Sequence, residues 1–454
     1  MFRKSKYISK RSFELSGRNI PFFESNLLGG ASVINGCVHT VGNRLLWDSI
    51  LKPFDSNYDD VLVSFIKLFS LNESEKNKIT IVKAPQNNID EGFIGTLNKH
   101  QVPCGDMNFS DNEICGPILV TSGKYFRSSV LSFISNKIFQ VYTDQKVEKI
   151  LFDDSGKVTG VKTNLDTISS DYVISSCGVI GSCDLLLRSQ SVKNNYLKNI
   201  SIGSGVIDHT NLRIKVMSNR KFNSLNELSH SFFNKLLIMF EHFSGHSTLL
   251  KTTGASSAAY LDLDQDGKID TKIQLLQFTE SGRLGSDGSK SLFDSHPGFS
   301  IAITLINPKS KGEITLDKLE CNVDPKYLSS KRDIKLLNVA LKYCLKLLRS
   351  PPLSKYVLEV VNETVIENNP EKYIIDNAYS GYHLVGGAQD AVDSNFEVKS
   401  TKNLYICDAS IFKMHVASNS HASVVLLADI FAKKFIANNF NSHSNAELPT
   451  TSLT

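Results

Sequence analysis

The residues best suited to chemistry lie close together near the C-terminus, within 381–435. His383 stands beside Gly386 and Gly387. A short apolar run, 404–407, leads into Asp408, Ala409 and Ser410, and a polar turn carrying Asn419 and His421 follows. A neutral imidazole takes up a proton near neutral pH, and a carboxamide beside it can hold the oxygen that releases that proton. His383 with Asn419 or His421 is therefore a candidate pair for deprotonating a hydroxyl. Taken alone, His383 reads as a hydrogen-bonded histidine beside a glycine turn. Its setting points further. A strand that passes through small residues into a helix N-terminus turns backbone amides towards a cofactor.

Two more stretches share that character. Gly29, Gly30, Ala31 and Ser32 precede an apolar Val33-Ile34 and a polar Asn35-Gly36. Consecutive small residues let backbone N–H groups approach a flat or anionic ligand, although a plain tight turn accounts for the glycines equally well. The run 172–176 (YVISS) reads as a continuous apolar strand suited to the buried middle of a sheet. Cys177, Gly178 and Gly181 follow it and open a helix, the order that suits dinucleotide contact. The segment 262–270, DLDQDGKID, matches positions 1, 3, 5, 6, 8 and 9 of a calcium loop, but position 12 is Ile273 instead of Glu. It is read as a solvated acidic hairpin turn, and no metal is expected. His230 and His242 are too far apart to form a metal pair on one helical face.

The elements that must position these groups alternate along the chain. Helical periodicity covers 58–70, and 86–104 is polar and reads as a loop. A helix with a basic first turn is expected over 123–134, and paired strands around a D-S-G-K turn over 139–161. Further helices are expected at 226–243 and at 333–348, the latter capped by Ser330 or Asp333 and ended by Pro351-Pro352. Two strands around a turn at 307–312 are expected within 299–316. With neither a short repeat nor a long linker, the expected fold is mixed α/β.

Composition excludes other classes. Fifty basic and 46 acidic side chains leave a formal net charge of +4, which does not suggest a nucleic-acid role. No apolar run reaches the roughly 18 residues of a membrane span. The basic N-terminus lacks the apolar centre of a secretory signal and only weakly resembles an organelle presequence. The eight cysteines include no C-x-x-C pair and read as buried free thiols of a reducing, cytoplasmic setting. The tail 438–454 is polar and expected to be disordered.

These pieces together resemble the glucose–methanol–choline (GMC) family of flavin oxidoreductases, from about 20 to 437. Residues 28–36 (LGGASVING) resemble the family's L-G-G-S-S-x-I-N-G loop, which lies against the flavin. Residues 173–182 (VISSCGVIGS) look like its V-I-L-S-A-G-A-I-G-S strand and turn, with Cys183 where proline is usual. Residues 205–209 are similar to the G-x-x-L-x-D-H element, and 308–312 to the P-x-S-R-G turn. Residues 383–387 resemble the segment that carries the active-site histidine, and 403–410 the N-L-Y-V-x-D-A-S strand. Asn419, eleven residues past Asp408, falls at the second catalytic position.

The resemblance implies an FAD-binding Rossmann-like domain from 20–57, 120–212 and 380–437, and a substrate domain from 58–119 and 213–379. It implies oxidation of an alcohol or sugar CH–OH to a carbonyl by hydride transfer to flavin N5, with His383 as base, Asn419 as its partner and His421 as a possible helper. Cofactor contacts fall to Gly29, Gly30, Ala31, Ser32, Asn35, Gly36, Val147 (through its backbone), Cys177, Gly178, Gly181, Asp408 and Ala409. No histidine lies between Gly29 and Gly36, so FAD is expected to be bound non-covalently. One departure stands out. The family opens with a strand, a G-x-G-x-x-G turn and a helix, whereas only 27 residues precede Leu28 and none forms that unit. The alternative expectation is thus a truncated or split-gene relative that does not bind flavin alone, with a partner chain supplying the missing unit.

Overall fold

The structure is a computed structural model, and it describes residues 4–8, 15–134, 139–190, 195–246, 248–280, 293–318, 320–417 and 419–440. Most of the tail expected to be disordered lies outside the described residues. An antiparallel sheet of seven strands dominates. Its order is Val357–Val360, Thr210–Ser218, Gly298–Leu305, Thr271–Leu276, Ala255–Leu261 and Ile114–Pro117, with Tyr379–Ser380 also paired to Thr210–Ser218. Ala255–Leu261 is buried along its whole length, because helices cover the sheet. Helix Lys331–Arg349 packs on Gly298–Leu305 and buries Leu337, Leu341, Cys344 and Leu348 on one stripe. Ser330 takes its N-cap position without a side-chain bond. Asp333 instead receives the amides of Lys309 and Ser310, and so ties the helix to the preceding loop.

A second sheet of four strands runs Glu320–Asp324, Gly312–Asp317, Ser204–Ile207, Val385–Gly387. It matters for function because it lays the strand after His383 beside the strand before Asp208 and His209. Val173–Ser175 pairs in parallel with Leu404–Ile406, and each leads into a helix, Gly178–Ser189 and Ser420–Asn439 respectively.

Several expectations need correction. The segment read as a loop at 86–104 contains helix Asn88–Lys99. Its polar start is a capping box in which Asn87 and Asp90 bond each other's backbone amides, and Ile89, Phe93 and Leu97 bury its inner face. Segment 123–134 holds only a short 3-10 turn, Val130–Phe133. Segment 226–243 is two helices, Leu225–His230 and Phe232–Phe243, because Ser231 leaves the helical region and caps the second. The strands within 299–316 do form, but in different sheets. Val173–Ser175 does not lie in the buried middle of a sheet: it is one of two strands, and Ile174 is 42% exposed. Of the eight cysteines, all free thiols, Cys104 and Cys177 are exposed.

Candidate active site

His383 follows Gly381, where a side chain would place its Cβ 2.7 Å from the Cβ of His209. The glycine therefore permits the two imidazoles to meet. The His383 amide donates to Asp208 Oδ1 at 2.8 Å, and Asp208 Oδ2 accepts from Ser380 Oγ at 2.5 Å and from the Tyr327 hydroxyl. Burial raises the Asp208 pKa, while the Ser380 and Tyr327 hydroxyls and the backbone amides oppose that rise. This buried carboxylate holds the backbone of the segment that carries His383.

The side chains form a chain of hydrogen bonds whose direction follows from its two ends. His209 Nε2 lies 3.0 Å from the carbonyl of Ile306, so this nitrogen carries the proton. Burial, followed by the charges of His415 and His383, lowers the His209 pKa well below its usual value, and the ring is neutral. Its Nδ1 is then an acceptor, and His383 Nδ1, 3.0 Å away, must donate to it. His383 Nε2 consequently keeps its lone pair. At the other end, Lys272 Nζ donates to Asn419 Oδ1 at 3.2 Å. That contact turns the amide so that Asn419 Nδ2 donates to His383 Nε2 at 2.9 Å.

Burial is the main cause of every pKa shift here. It lowers His383 to about 3, assisted by the charge of Lys272, and Lys272 itself to about 8. His415, stacked on His209 with ring centroids 3.7 Å apart, is also lowered to about 3 by burial and then by His383. Asn419 occupies the N-cap of Ser420–Asn439 but makes no capping bond, because its side chain is committed to His383 and Lys272.

The other expected residues fall into two groups. Gly29 and Gly30 adopt left-handed backbone, φ 94° and 55°, and open the turn Gly30–Val33. Ala31 and Ser32 lie within that turn. Arg127 clamps the loop by donating to the Ser32 carbonyl, Asn35 Oδ1 and the Asn35 carbonyl, while the Gly36 carbonyl accepts from Thr253. His421 belongs to this side of the site. Its electrostatic neighbours are Arg127 and His39, and its pKa falls to about 4 through burial and then Arg127. Both of its ring nitrogens are buried with no hydrogen-bond partner among the described residues.

The second group surrounds the start of helix Gly178–Ser189. Asp408 Oδ2 accepts from the Gly178 amide at 3.1 Å and from Ser182 Oγ at 2.5 Å, and Asp408 Oδ1 accepts from the Ser410 amide. Ala409 is buried beside it. Glu24 also reaches this helix N-terminus, bonding the amides of Gly181 and Ile180. Val147 begins strand Val147–Phe152, which packs against the same helix, and Cys177 stands at the helix N-cap.

These contacts test the fit of a flavin dinucleotide half by half. The ring half fits: the clamped glycine loop, the unpartnered nitrogens of His421 and the His383–Asn419 pair offer a flat heterocycle both surface and polar partners. The pyrophosphate half meets competition from the chain itself. The amides that a phosphate would take at Gly178, Ile180 and Gly181 are already bonded to two carboxylates of this chain.

Sequence reasoning assigned no role to His209, Lys272, His415, Asp208 or Glu24. The one signal for Lys272 is its charge in the midst of an apolar strand, where it is only 5% exposed.

Comparison with known proteins shows what the chain is similar to. The GMC oxidoreductase family model for the C-terminal domain matches residues 308–428. The chain is 24% identical over 360 residues to an alcohol dehydrogenase [acceptor] of Pseudomonas putida, covering 72% of this chain and 64% of the relative. It is 22% identical over 467 residues to an oxygen-dependent choline dehydrogenase of Vibrio vulnificus, covering 92% and 81%. It therefore spans just under two thirds of the first of these relatives. The fold matches a variant of formate oxidase from Aspergillus oryzae with a TM-score of 0.83 at 16% identity, over 97% of this chain and 89% of the other. The chain thus matches the GMC oxidoreductases over 308–428 and is similar to alcohol and choline dehydrogenases over most of its length.

Proposed function

We propose that this protein oxidises the CH–OH group of a small alcohol or sugar to a carbonyl. FAD, bound non-covalently, supplies the acceptor for the hydride that leaves carbon. The chain's own residues handle the hydroxyl. His383 Nε2, whose lone pair is kept free by the tautomer set at His209, takes the hydroxyl proton. Asn419 Nδ2 transfers its hydrogen bond from His383 to the substrate oxygen and orients the C–H bond. Lys272, behind the Asn419 carbonyl, places a buried positive charge near the oxygen as it becomes negative. Arg127, through its clamp on Ser32 and Asn35, holds the flavin-side loop. His421 completes that side as a hydrogen-bond partner for the ring, not as a second base. The observation that carries this reading is the 2.9 Å contact between Asn419 and an unprotonated His383 Nε2.

The rival reading is a relative that does not bind flavin by itself. Its support is the pair of carboxylates, Glu24 and Asp408, on the helix N-terminus. A partner chain bringing a dinucleotide unit finds no support, and the single-chain reading is preferred. The free thiols favour the cytoplasm, and among the described residues no helix is long and apolar enough to cross a membrane.

Adding excess FAD to the purified chain, removing the unbound portion and recording the visible flavin spectrum separates the readings. A retained flavin spectrum and turnover of an alcohol with an artificial electron acceptor are expected, with a loss of roughly a hundred-fold or more in His383→Ala. A protein that stays colourless refutes the single-chain reading. Near-normal turnover of His383→Ala refutes the base.

A further inference from the structure

The acidic hairpin 262–270 joins strands Ala255–Leu261 and Thr271–Leu276. Asp262, Asp264 and Asp270 each present a carboxylate oxygen within 4.8 Å of the other two. Two oxygens bound to one calcium ion at 2.3–2.6 Å can lie at most about 4.6–5.2 Å apart, so the three fit one ion. The loop is already wound as such a site requires. Asp262 accepts the amides of Asp266 and Gly267, at 3.2 and 2.8 Å, and Gly267 makes the sharp turn at φ 83°.

Asp270 supplies an independent sign. It is 4% exposed, and its Oδ2 receives the Asp264 amide at 2.9 Å, but its Oδ1 is buried with no hydrogen-bond partner among the described residues. A buried carboxylate oxygen left without a partner is costly, and a cation beside it removes the cost. Arg332 pairs with Asp264 at 2.5 Å, leaving the Asp262 and Asp270 carboxylates without an ion pair among the described residues. Position 12 of the loop, Ile273, is committed to the sheet, where it pairs with Ala259 and Ile303. The ninth position takes over as the closing ligand by folding back, fully buried, onto positions 1 and 3.

We propose that this hairpin binds a calcium ion through Asp262, Asp264 and Asp270. Water and the backbone carbonyl of Lys268, the seventh position, complete the shell. The all-oxygen, carboxylate-rich set in a flexible loop favours calcium over magnesium and over softer metals. Lys272, which holds Asn419, lies two residues beyond Asp270, in strand Thr271–Leu276, so the ion would fasten the hairpin that leads into that strand.

The test uses the full chain, stripped with a chelator and titrated with calcium chloride or magnesium chloride alone, by calorimetry and thermal unfolding. The expected result is saturable single-site binding of calcium with a Kd of roughly 10⁻⁶–10⁻³ M, a calcium-dependent rise in Tm, and at least about tenfold weaker magnesium binding. Asp270→Asn is expected to abolish the calcium response while folding normally in chelator. Should that variant not fold, Asp264→Asn, at a half-exposed carboxylate, is expected to weaken calcium binding about tenfold or more. Absence of heat and of a Tm shift at about 5 mM calcium, above that affinity range, overturns the proposal. So does an undiminished response in the variants, or magnesium binding as tight as calcium binding.

Discussion

His209 gives its Nε2 proton to the Ile306 carbonyl and thereby turns its Nδ1 lone pair on His383, 3.0 Å away. The tautomer of His383 is thus set by a backbone carbonyl two contacts removed. Replacing His209 by Phe is expected to lower kcat while changing KM little, since the substrate pocket keeps its shape and the base loses its tautomer. His209→Gln, which retains a hydrogen-bonding side chain, is expected to recover part of the loss. Lys272→Met removes a buried positive charge that depresses His383, and is expected to move the acid limb of the kcat/KM profile to higher pH. Steady-state kinetics across pH measures all three. A KM effect alone in His209→Phe, or an unmoved acid limb in Lys272→Met, would contradict the chain of bonds described here.

Five histidines whose pKa falls through burial of their rings are expected to make the fold sensitive to acid. Burial lowers His39, His383 and His415 to about 3, His421 to about 4, and His209 well below its usual value. In the unfolded chain the same rings take protons near pH 6.5. Their contribution to stability is therefore present above about pH 6.5 and is lost as the pH falls from there towards 3. Each ring can add a slope of up to about 1.4 kcal/mol per pH unit within that window. Denaturant unfolding at a series of pH values is expected to show a steep fall below pH 6.5. A flat profile down to pH 5 would mean that the histidines accept protons in the folded state.

Glu24 acts in the opposite direction. Burial raises its pKa to about 7 against the pull of the Gly181 and Ile180 amides, and Asp408 adds to the rise. A carboxyl whose pKa is higher in the folded state contributes stability below its unfolded value of about 4.5, and that contribution is lost as the pH rises through 7. Glu24→Gln is expected to make the protein more stable than the parent above pH 7. It also takes one negative charge off the helix N-terminus where a phosphate would sit, so FAD is expected to bind more tightly at pH 8. Fluorescence titration with FAD measures this, and unchanged or weaker affinity would show that Glu24 does not compete with the cofactor.

Much of the site was legible because it is built from local patterns. The glycine turn at Gly29 and Gly30, the small-residue turn at Asp408 and the polar turn at Asn419 all lie within short segments whose backbone demands restrict residue type. Helix Asn88–Lys99 was missed although its capping box is present in the sequence, because its polar first turn resembled a loop. Strand Val173–Ser175 was placed correctly along the chain but not in space. An apolar run reports the tendency to form a strand and says nothing of how many neighbours that strand finds.

The spacing of residue types along the chain already carried the meeting of His383 with Asn419, the glycine turn within 29–36 and the resemblance to GMC oxidoreductases. Those features depend on residue types held at fixed separations along the backbone. Packing in three dimensions sets which nitrogen of His383 keeps its lone pair, which way the Asn419 amide points and why Asp270 carries an oxygen with no hydrogen-bond partner among the described residues. His209 follows strand Ser204–Ile207 of the four-stranded sheet, Lys272 lies in the seven-stranded sheet with Asp270 in the hairpin before it, and Glu24 comes from strand Pro21–Ser25. Their effects act over a few ångströms through hydrogen bonds and charge in a dry interior. Separation along the sequence does not encode such distances, and packing does.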